Sequence, residues 1–186
     1  WTGLPTTANA SLAMCWGVTG SNGKTTTKEI ARHLCQSLDA TAHATQGNYN
    51  NFIGVPLTLL SAPLDTSWWV VEIGTNHFGE IETLAKVSQP TVGVLTSIGE
   101  SHLEFLLNTA GVAREKSSLW KGLVEGGQAW IPAKCVGKEN VLEREAEQIG
   151  VSPPQLWTQR TVRRVESATT GNPIRQRLNP SWIHHW

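Results

Sequence analysis

The stretch GVTGSNGKTTTKE, Gly17–Glu29, decides the fold because it joins an apolar strand to a helix through a glycine-rich turn with a lysine at its end. The residues that follow carry Ile30, Leu34 and Leu38 at four-residue spacing, which predicts one buried helix face. The first N–H groups of a helix lack partners, and the helix dipole favours anions. The stretch therefore predicts a phosphate-binding loop. The alternative is a connecting turn that serves packing alone.

Individual residues of this stretch have separate predicted roles. Gly20 and Gly23 let the backbone approach a phosphate closely. Lys24 would reach the β- and γ-phosphates of a triphosphate, and the Thr25 hydroxyl would bind a magnesium ion. The strict pattern GxxxxGK[ST] requires a glycine where this chain has Val18. The match is therefore to a variant of the loop.

The composition fits one packed domain. The chain has 186 residues, of which 39% are hydrophobic and 16% are charged, a balance that argues against a disordered chain.

No apolar run approaches the roughly 18 to 20 residues that span a bilayer, and the N-terminus lacks a basic region followed by an apolar core. We therefore expect a cytoplasmic protein without membrane contact. Cys15, Cys35 and Cys135 are widely spaced, which favours small buried side chains over a disulfide or zinc site.

Charge is unevenly distributed although the net charge is zero. Residues 159–186 contain five arginines and a single acidic residue, Glu166. Basic tails sometimes bind nucleic acid, but these arginines are mixed with Pro, Asn, Ser and Thr and show no periodicity. We therefore expect a domain over residues 1–158, followed by a solvated, poorly ordered tail over 159–186 and no nucleic-acid partner.

Strand and helix patterns alternate along the chain, which predicts an α/β fold with a mostly parallel sheet and flanking helices. Apolar runs predict strands at Leu12–Val18, Ala42–Gln46, Ser67–Ile73, Thr91–Ile98 and Gln128–Ile131. Helical patterns cover Thr25–Leu38, Val55–Leu60, Gly79–Val87, Thr109–Leu123 and Glu139–Gln148. From Pro153 onward the pattern fades.

Polar residues follow the predicted strands at their carboxyl ends, where ligands of open parallel sheets bind. Glu72 to His77 come after one strand, and Glu100 to Glu104 come after the next. A buried carboxylate such as Glu72 is costly unless it is paired or binds a cation, and Mg²⁺ prefers oxygen ligands. Glu72 is therefore a candidate magnesium ligand. The alternative is a carboxylate that caps the next loop.

Spacing alone does not separate three further candidates from ordinary surface residues. His102 in GESHLEF and His77 in GTNHFGE follow strand ends, but a lone histidine is usually structural or exposed. Lys116 in GVAREKSSLW has the charged neighbours Arg114 and Glu115, as expected of an exposed helix lysine.

Several segments, taken in order, resemble the central domain of the Mur ligases: GVTGSNGKTTTKE, TQGNYNNFIGVPLTLL, VVEIGTNHFGEIE, TSIGESHLEF and GVAREKSSLW. The second and third are most similar to the members that add D-alanyl-D-alanine to UDP-N-acetylmuramoyl-tripeptide. The resemblance covers roughly residues 12–123. The presence of five motifs in the same order argues against a chance match.

The resemblance implies a P-loop NTPase-like fold and an ATP-dependent ligase of peptidoglycan precursor synthesis, with ATP and Mg²⁺ as cofactors. In such a reaction the tripeptide carboxylate attacks the γ-phosphate to give an acyl phosphate. The amine of D-alanyl-D-alanine then displaces the phosphate. Catalysis of this kind depends on charge neutralisation and alignment. A monomer is expected.

The resemblance also implies roles for individual residues. Catalytic roles fall on Lys24, Lys116 and His102. ATP contacts fall on Thr19, Gly20, Ser21, Asn22, Gly23, Lys24, Thr25, Thr26, Asn76 and His77. Substrate contacts fall on Asn48, Asn50 and Asn51. Metal ligands are Thr25, Glu72, His102 and Lys116, the last as a carbamate, since an amine that has taken up carbon dioxide becomes an anion able to support a cation.

The chain also departs from the family pattern. A complete member has an N-terminal domain for the uridine nucleotide and a C-terminal domain that closes over ATP, and 186 residues cannot hold both. An asparagine motif resembling GxHNxxN, which contacts adenine, is not found. These departures imply a fragment that is inactive alone. The alternatives are a non-catalytic nucleotide-binding module, or another Mur, folylpolyglutamate or cyanophycin ligase.

Overall fold

The computed structural model describes residues 14–37, 41–99, 106, 108–132, 142, 144 and 155–157. Its strands form one six-stranded sheet. The strands are Met14–Thr19 (β1), Ala42–Ala44 (β2), Trp68–Glu72 (β3), Val92–Leu95 (β4), Gln128–Pro132 (β5) and Gln155–Trp157 (β6). Five of them match predicted strands, whereas β6 lies where the sequence pattern fades.

The strand order is β2-β3-β1-β4-β5-β6, and every neighbouring pair is parallel. This confirms the predicted α/β class with a parallel sheet. β1 lies between β3 and β4, with Val18 opposite Glu72 and Thr19 opposite Leu95. The carboxyl ends of these three strands are therefore adjacent, and the loops that follow them meet at one edge of the sheet.

Four α-helices and a 3₁₀ helix accompany the sheet in the described part of the chain. They are Lys24–Ser37 (α1), Gly54–Leu60 (α2), Glu80–Ser88 (α3), Thr109–Ser117 (α4) and the 3₁₀ helix Ser118–Gly122. The helix predicted over 139–148 lies outside the described residues except at Leu142 and Arg144, which are helical.

Two apolar clusters pack the sheet. The larger joins β3 to α3 and the 3₁₀ helix, and it includes Ile73, Leu84 and Trp120. The smaller lies beside α1 and includes Val18 and Val70. Alternate residues of one strand thus enter different clusters, as expected for a strand covered on both faces.

The apolar face predicted for α1 is wrong at Ile30, whereas Leu34 is half-buried and Leu38 lies outside the described residues. Ile30 is 42% exposed, whereas the buried residues of the helix are Lys28, Ala31 and Cys35. Small side chains at positions 31 and 35 allow the helix to approach the sheet closely, so the larger Ile30 is turned away. A lysine counts as polar in a hydrophobic-periodicity pattern, so the pattern did not identify the side of the helix with Lys28 as buried.

Lys28 is buried because backbone carbonyls surround its ammonium group. Its Nζ donates to the carbonyl oxygens of Thr45 at 2.8 Å and Gly47 at 3.3 Å. Glu29 Oε1 lies 3.0 Å from the same nitrogen. These contacts supply the partners that a buried charge requires. They attach α1 to the segment that follows β2.

Cys15 and Cys35 are buried free thiols, and Cys135 lies outside the described residues. Burial raises the pKa of the Cys15 thiol to about 12, which keeps it protonated and unreactive. No helix in the described ranges is long and apolar enough to cross a bilayer.

Candidate functional site

The loop Gly20–Gly23, called the glycine loop below, connects β1 to α1 and is fixed to the segment after β4. Ser21 N donates to Ser97 O at 3.0 Å, and Asn22 N donates to Ser97 Oγ at 2.9 Å. Thr96 Oγ1 donates to Asn22 O at 2.6 Å. These bonds hold the loop in one conformation before any ligand binds. Thr96 and Ser97 begin the motif TSIGESHLEF, but sequence reasoning did not select either of them as a site residue.

Glycine is required at position 20 for two reasons. Its φ is +149°, a value that L side chains rarely adopt, and a Cβ there would overlap Thr96 Oγ1. The loop therefore turns where a strand ends and a helix begins, and it lies against a neighbouring strand end. This is the geometry that the sequence predicted for a phosphate loop.

Lys24 is the first residue of α1, and its ammonium folds back onto the loop. Its Nζ donates to Gly20 O at 2.8 Å. Burial lowers the pKa of Lys24, while the negative charge of Glu72 acts in the opposite direction. Thr25 and Thr26 are exposed in the first helical turn, whereas Thr19 is fully buried at the end of β1.

Glu72 ends β3 and is only 1% exposed. Its Oε1 accepts a hydrogen bond from Asn50 Nδ2 at 2.8 Å. Its Oε2 is buried and has no hydrogen-bond partner among the described residues. A buried carboxylate oxygen without a partner is costly, and a cation would satisfy it. Glu72 is the residue expected to bind magnesium, and its Oε2 is a buried oxygen whose missing partner a cation would supply.

The segment Gly47–Asn51, called the asparagine loop below, follows β2 and shares a cavity with Lys24. Asn51 caps α2, since its Oδ1 accepts from Ile53 N at 3.1 Å and from Gly54 N at 3.0 Å. Asn50 contacts Glu72, and Asn48 is exposed and lines the cavity described below. The three predicted substrate asparagines therefore have different surroundings.

Two carboxylates that sequence reasoning did not select hold the segment after β3. Glu80 Oε2 accepts from Asn76 N at 2.7 Å and from His77 N at 3.2 Å. Burial alone would raise the pKa of Glu80, but these hydrogen bonds bring it below its usual value. The His77 side chain is 60% exposed and lies 3.4 Å from Glu80 Oε1.

The second carboxylate is Glu115 on α4, which is 3% exposed. It accepts from Gly79 N at 2.8 Å and from Ile81 N at 3.0 Å. These are N–H groups at the start of α3, which have no partner within that helix. Capping of the segment after β3, the alternative considered for Glu72, is thus performed by Glu80 and Glu115.

Lys116 follows Glu115 and is only 1% exposed, so the prediction of an exposed helix lysine is wrong. Burial lowers the pKa of Lys116 to about 8, and the positive charge of Lys24 acts in the same direction. The 3₁₀ helix and α3 pack around this end of α4, and they remove the side chain from bulk solvent. A depressed lysine pKa gives a substantial neutral fraction near physiological pH.

These elements surround one cavity of ≈ 270 Å³ at the carboxyl ends of the strands. It is lined by Lys24, Asn48, Asn50, Asn51, Phe52, Gly74, Thr75, Asn76, Glu80, Leu84 and Lys116. The structure therefore brings together both predicted catalytic lysines, all three asparagines of the asparagine loop and Asn76. His77 is not part of this lining. His102, Glu100 and Glu104 lie outside the described residues.

The surroundings of Glu72 fit a magnesium ion whose other ligands come from phosphate and hydroxyl oxygens. Within the described residues, no three His, Cys, Asp or Glu side chains form a cluster that could hold a metal by themselves. Mg²⁺ at nucleotide sites commonly uses one or two carboxylates together with phosphate oxygens and water. Glu72 and Thr25 are the residues present that would contribute to such a shell.

The family description that matches this sequence is the Mur ligase middle domain, over residues 18–171. The chain belongs to the Mur ligase family. The match extends past residue 158, where the sequence pattern predicted that the domain ends. The expected Mur ligase resemblance is confirmed from residue 18 to 123 and extends to residue 171.

Curated and solved Mur ligases show which members this chain is similar to. It is 45% identical over 111 residues to UDP-N-acetylmuramoyl-tripeptide--D-alanyl-D-alanine ligase of Bacillus subtilis, which covers 60% of this chain and 24% of that protein. Crystal structure I of MurF from Acinetobacter baumannii matches with a TM-score of 0.69 and 32% identity, over 78% of this chain and 31% of that one.

A third relative has a nucleotide in its structure. MurF ligase from Thermotoga maritima in complex with ADP matches with a TM-score of 0.65 and 32% identity, over 72% of this chain and 31% of that chain. This Mur ligase chain thus spans about a quarter to a third of the length of the relatives it matches.

Proposed function

We propose that this chain is the ATP-binding part of a ligase that adds D-alanyl-D-alanine to UDP-N-acetylmuramoyl-tripeptide in peptidoglycan precursor synthesis. The observation that carries the proposal is the cavity that joins Lys24, which follows the glycine loop, to Lys116 and the asparagine loop. Family membership and the names of the relatives support the reaction class. The expected reactants are ATP, the muramoyl-tripeptide and D-alanyl-D-alanine.

In this proposal the glycine loop holds the phosphates of ATP. Backbone N–H groups at the start of α1 and the Lys24 ammonium contact the phosphate oxygens. Lys24 Nζ now donates to Gly20 O at 2.8 Å, so it exchanges this acceptor for a phosphate when ATP binds. The loop changes little, because its bonds to Thr96 and Ser97 already fix it.

Mg²⁺ supplies neutralisation of phosphate charge in phosphoryl transfer. Glu72 and Thr25 would hold it here, and the unpartnered Glu72 Oε2 supports this assignment. His102 and a carbamate of Lys116 are the proposed ligands of a second metal site. Asn76 and His77 would border the nucleotide, and Asn48, Asn50 and Asn51 would face the tripeptide carboxylate and its acyl phosphate. These residues align charged reactants, which is the main task in this chemistry.

The test is ATP binding by the Lys24→Ala variant in the presence of Mg²⁺, measured by isothermal titration calorimetry. A hydrogen bond from a charged donor contributes about 1.5–3 kcal/mol, so we expect ATP affinity to fall about 10- to 100-fold. Lys86→Ala is the matched control, since Lys86 is exposed and pairs with Glu82 on the surface. Equal ATP affinity in wild type and Lys24→Ala would contradict the phosphate-loop assignment.

A further inference from the structure

Glu72 is held from one side only, which determines which of its oxygens is left for a ligand. Asn50 Nδ2 donates to Oε1 at 2.8 Å, and Oε2 has no partner among the described residues. Lys24 interacts with Glu72 electrostatically, but no ion pair between the two side chains lies within 4.0 Å in the described ranges. The amide of Asn50 is therefore the one side-chain hydrogen-bond partner of the Glu72 carboxylate among the described residues.

Asn50 is in turn fixed between β3 and the turn of its own loop. Its carbonyl oxygen accepts from Gly74 N at 2.8 Å, and its N–H donates to Asn48 O at 2.7 Å. Its side chain fills the space where Gly74 has no Cβ, since a Cβ there would lie 2.7 Å from Asn50 Oδ1. The backbone and the amide of Asn50 are thus both held against the end of β3.

The orientation of the amide follows from charge. An ionised carboxylate only accepts hydrogen bonds, so the NH₂ end of Asn50 must face Glu72. A leucine at position 50 would fill a similar volume without donating. The hydrogen bond can therefore be removed with little change in packing.

We propose that Asn50 is a positioning residue, which orients the Glu72 carboxylate so that Oε2 faces a divalent cation and which makes cation binding depend on the conformation of the asparagine loop. This rests on the proposed function, in which Glu72 binds the cation that accompanies ATP. It assigns Asn50 a task in addition to the substrate contact proposed above. A ligand that moves the asparagine loop would then alter cation affinity through a single hydrogen bond.

The test measures binding of Mn²⁺ with ATP to the 186-residue chain by the enhancement of water-proton relaxation, with Mn²⁺ and ATP in the absence of protein as the reference. Loss of a residue that orients a metal ligand typically lowers metal affinity 10- to 100-fold, and we expect a loss in this range for Asn50→Leu. ATP affinity in EDTA should stay within about twofold of wild type. Gln46→Ala is the matched control, because Gln46 is exposed and precedes the same loop. We expect this control to bind Mn²⁺ as the wild type does.

Gly74→Ala provides a second route to the same result. Its added methyl would displace the Asn50 side chain without removing any polar group of the site, so it should also weaken Mn²⁺ binding. Circular dichroism checks that each variant folds, and Gly74→Ala decides the question if Asn50→Leu does not fold.

Two results would separate this inference from the proposed function. If the wild type binds Mn²⁺ with ATP and Asn50→Leu binds it equally well, the positioning role is wrong while the proposed function stands. An equal loss of ATP affinity with and without metal would also contradict positioning, since it would indicate a general structural effect. A wild type that binds no Mn²⁺ with ATP would contradict the proposed function itself.

Discussion

Lys116 shows how strongly the surroundings of one side chain can change its chemistry. Its pKa falls from 10.5 to about 8 because burial disfavours the ammonium form. It lines the same cavity as Lys24, so small molecules can reach it. A neutral amine can react with carbon dioxide, whereas an ammonium cannot. The structure therefore supplies the condition that a carbamate requires.

We predict that carbamate formation at Lys116 rises as the pH increases from about 7 to 9. The neutral amine fraction increases as pH passes through a pKa of about 8, whereas an ordinary lysine would titrate near 10.5. The measurement is ¹³C NMR of the chain in labelled bicarbonate. Lys116→Met should lose the signal and Lys86→Met should keep it. A signal that persists in Lys116→Met would refute this prediction.

Sequence patterns did not predict the burial of Lys116 or Glu115. Both lie among charged residues in a helix, and spacing indicates exposure there. Their burial depends on α3, which is distant in sequence, and on the 3₁₀ helix that directly follows α4. Only resemblance to a family selected Lys116. Glu72 differs, because a carboxylate at the end of an apolar strand already indicates a buried charge.

At the scale of elements, Glu115 joins α4 to the start of α3. We predict that Glu115→Ala lowers the free energy of unfolding by about 3 kcal/mol, because two backbone donors lose their acceptor in a buried place. Glu82→Ala is the control. It removes surface ion pairs with Lys86 and Lys121 and should cost less than about 1 kcal/mol. Urea denaturation measures both, and similar losses for the two variants would contradict the capping role.

The glycine loop offers a second prediction at this scale. Gly20→Ala combines an unfavourable φ with an overlap against Thr96, so we expect a loss of about 3 kcal/mol in unfolding free energy and weaker ATP binding. Gly126→Ala separates the two causes. Its φ is +76° but no atom lies within 4 Å of the added Cβ, so it should cost only about 1–2 kcal/mol.

Thermal and urea unfolding of both glycine variants provide the measurement. If Gly20→Ala were no less stable than Gly126→Ala, contact between the glycine loop and Thr96 would not constrain the site.

Sequence patterns predicted the glycine loop and five strands because each is a local signal of periodicity and turn residues. They failed for the buried face of α1, where the side chain that packs inward is a lysine.

At the scale of the whole molecule, the strand order determines which loops lie next to each other at the edge of the sheet. β1 lies between β3 and β4, so the glycine loop, Glu72 and the segment after β4 share one edge. Alternation of strands and helices predicted the parallel sheet and the shared edge, but not the strand order. The hydrogen bond between Asn50 and Glu72 was not predicted, because it joins residues 22 positions apart whose pairing depends on the path of the asparagine loop.

We predict that the 186-residue chain binds ATP with Mg²⁺ but does not turn over substrate. It spans about a quarter of the curated relative's length, so groups that exclude water and align the amine would have to come from elsewhere. At an ATP concentration of 100 times Kd, binding should stabilise the fold by about 2.7 kcal/mol. This stabilisation raises the melting temperature.

Phosphate release with ATP, UDP-N-acetylmuramoyl-tripeptide and D-alanyl-D-alanine measures turnover, and the shift in melting temperature measures binding. At the same ATP concentration Lys24→Ala should show a smaller shift, because a 10- to 100-fold weaker affinity leaves about 0.4–1.4 kcal/mol of stabilisation. Substrate-dependent phosphate release by the wild-type chain would show that these residues suffice for catalysis, contrary to the expectation. An absent shift would instead favour a different ligand for the cavity.

The buried ammonium of Lys28 affects the distance between the glycine loop and the segment that follows β2. Lys24 and Lys28 lie one helical turn apart on α1, and the first contacts the glycine loop while the second holds the carbonyls of Thr45 and Gly47. Four residues of α-helix advance about 6 Å along the axis. The fixed rise of the helix therefore sets the distance along its axis between the two lysines, and with it the spacing between the glycine loop and the segment after β2 that they contact.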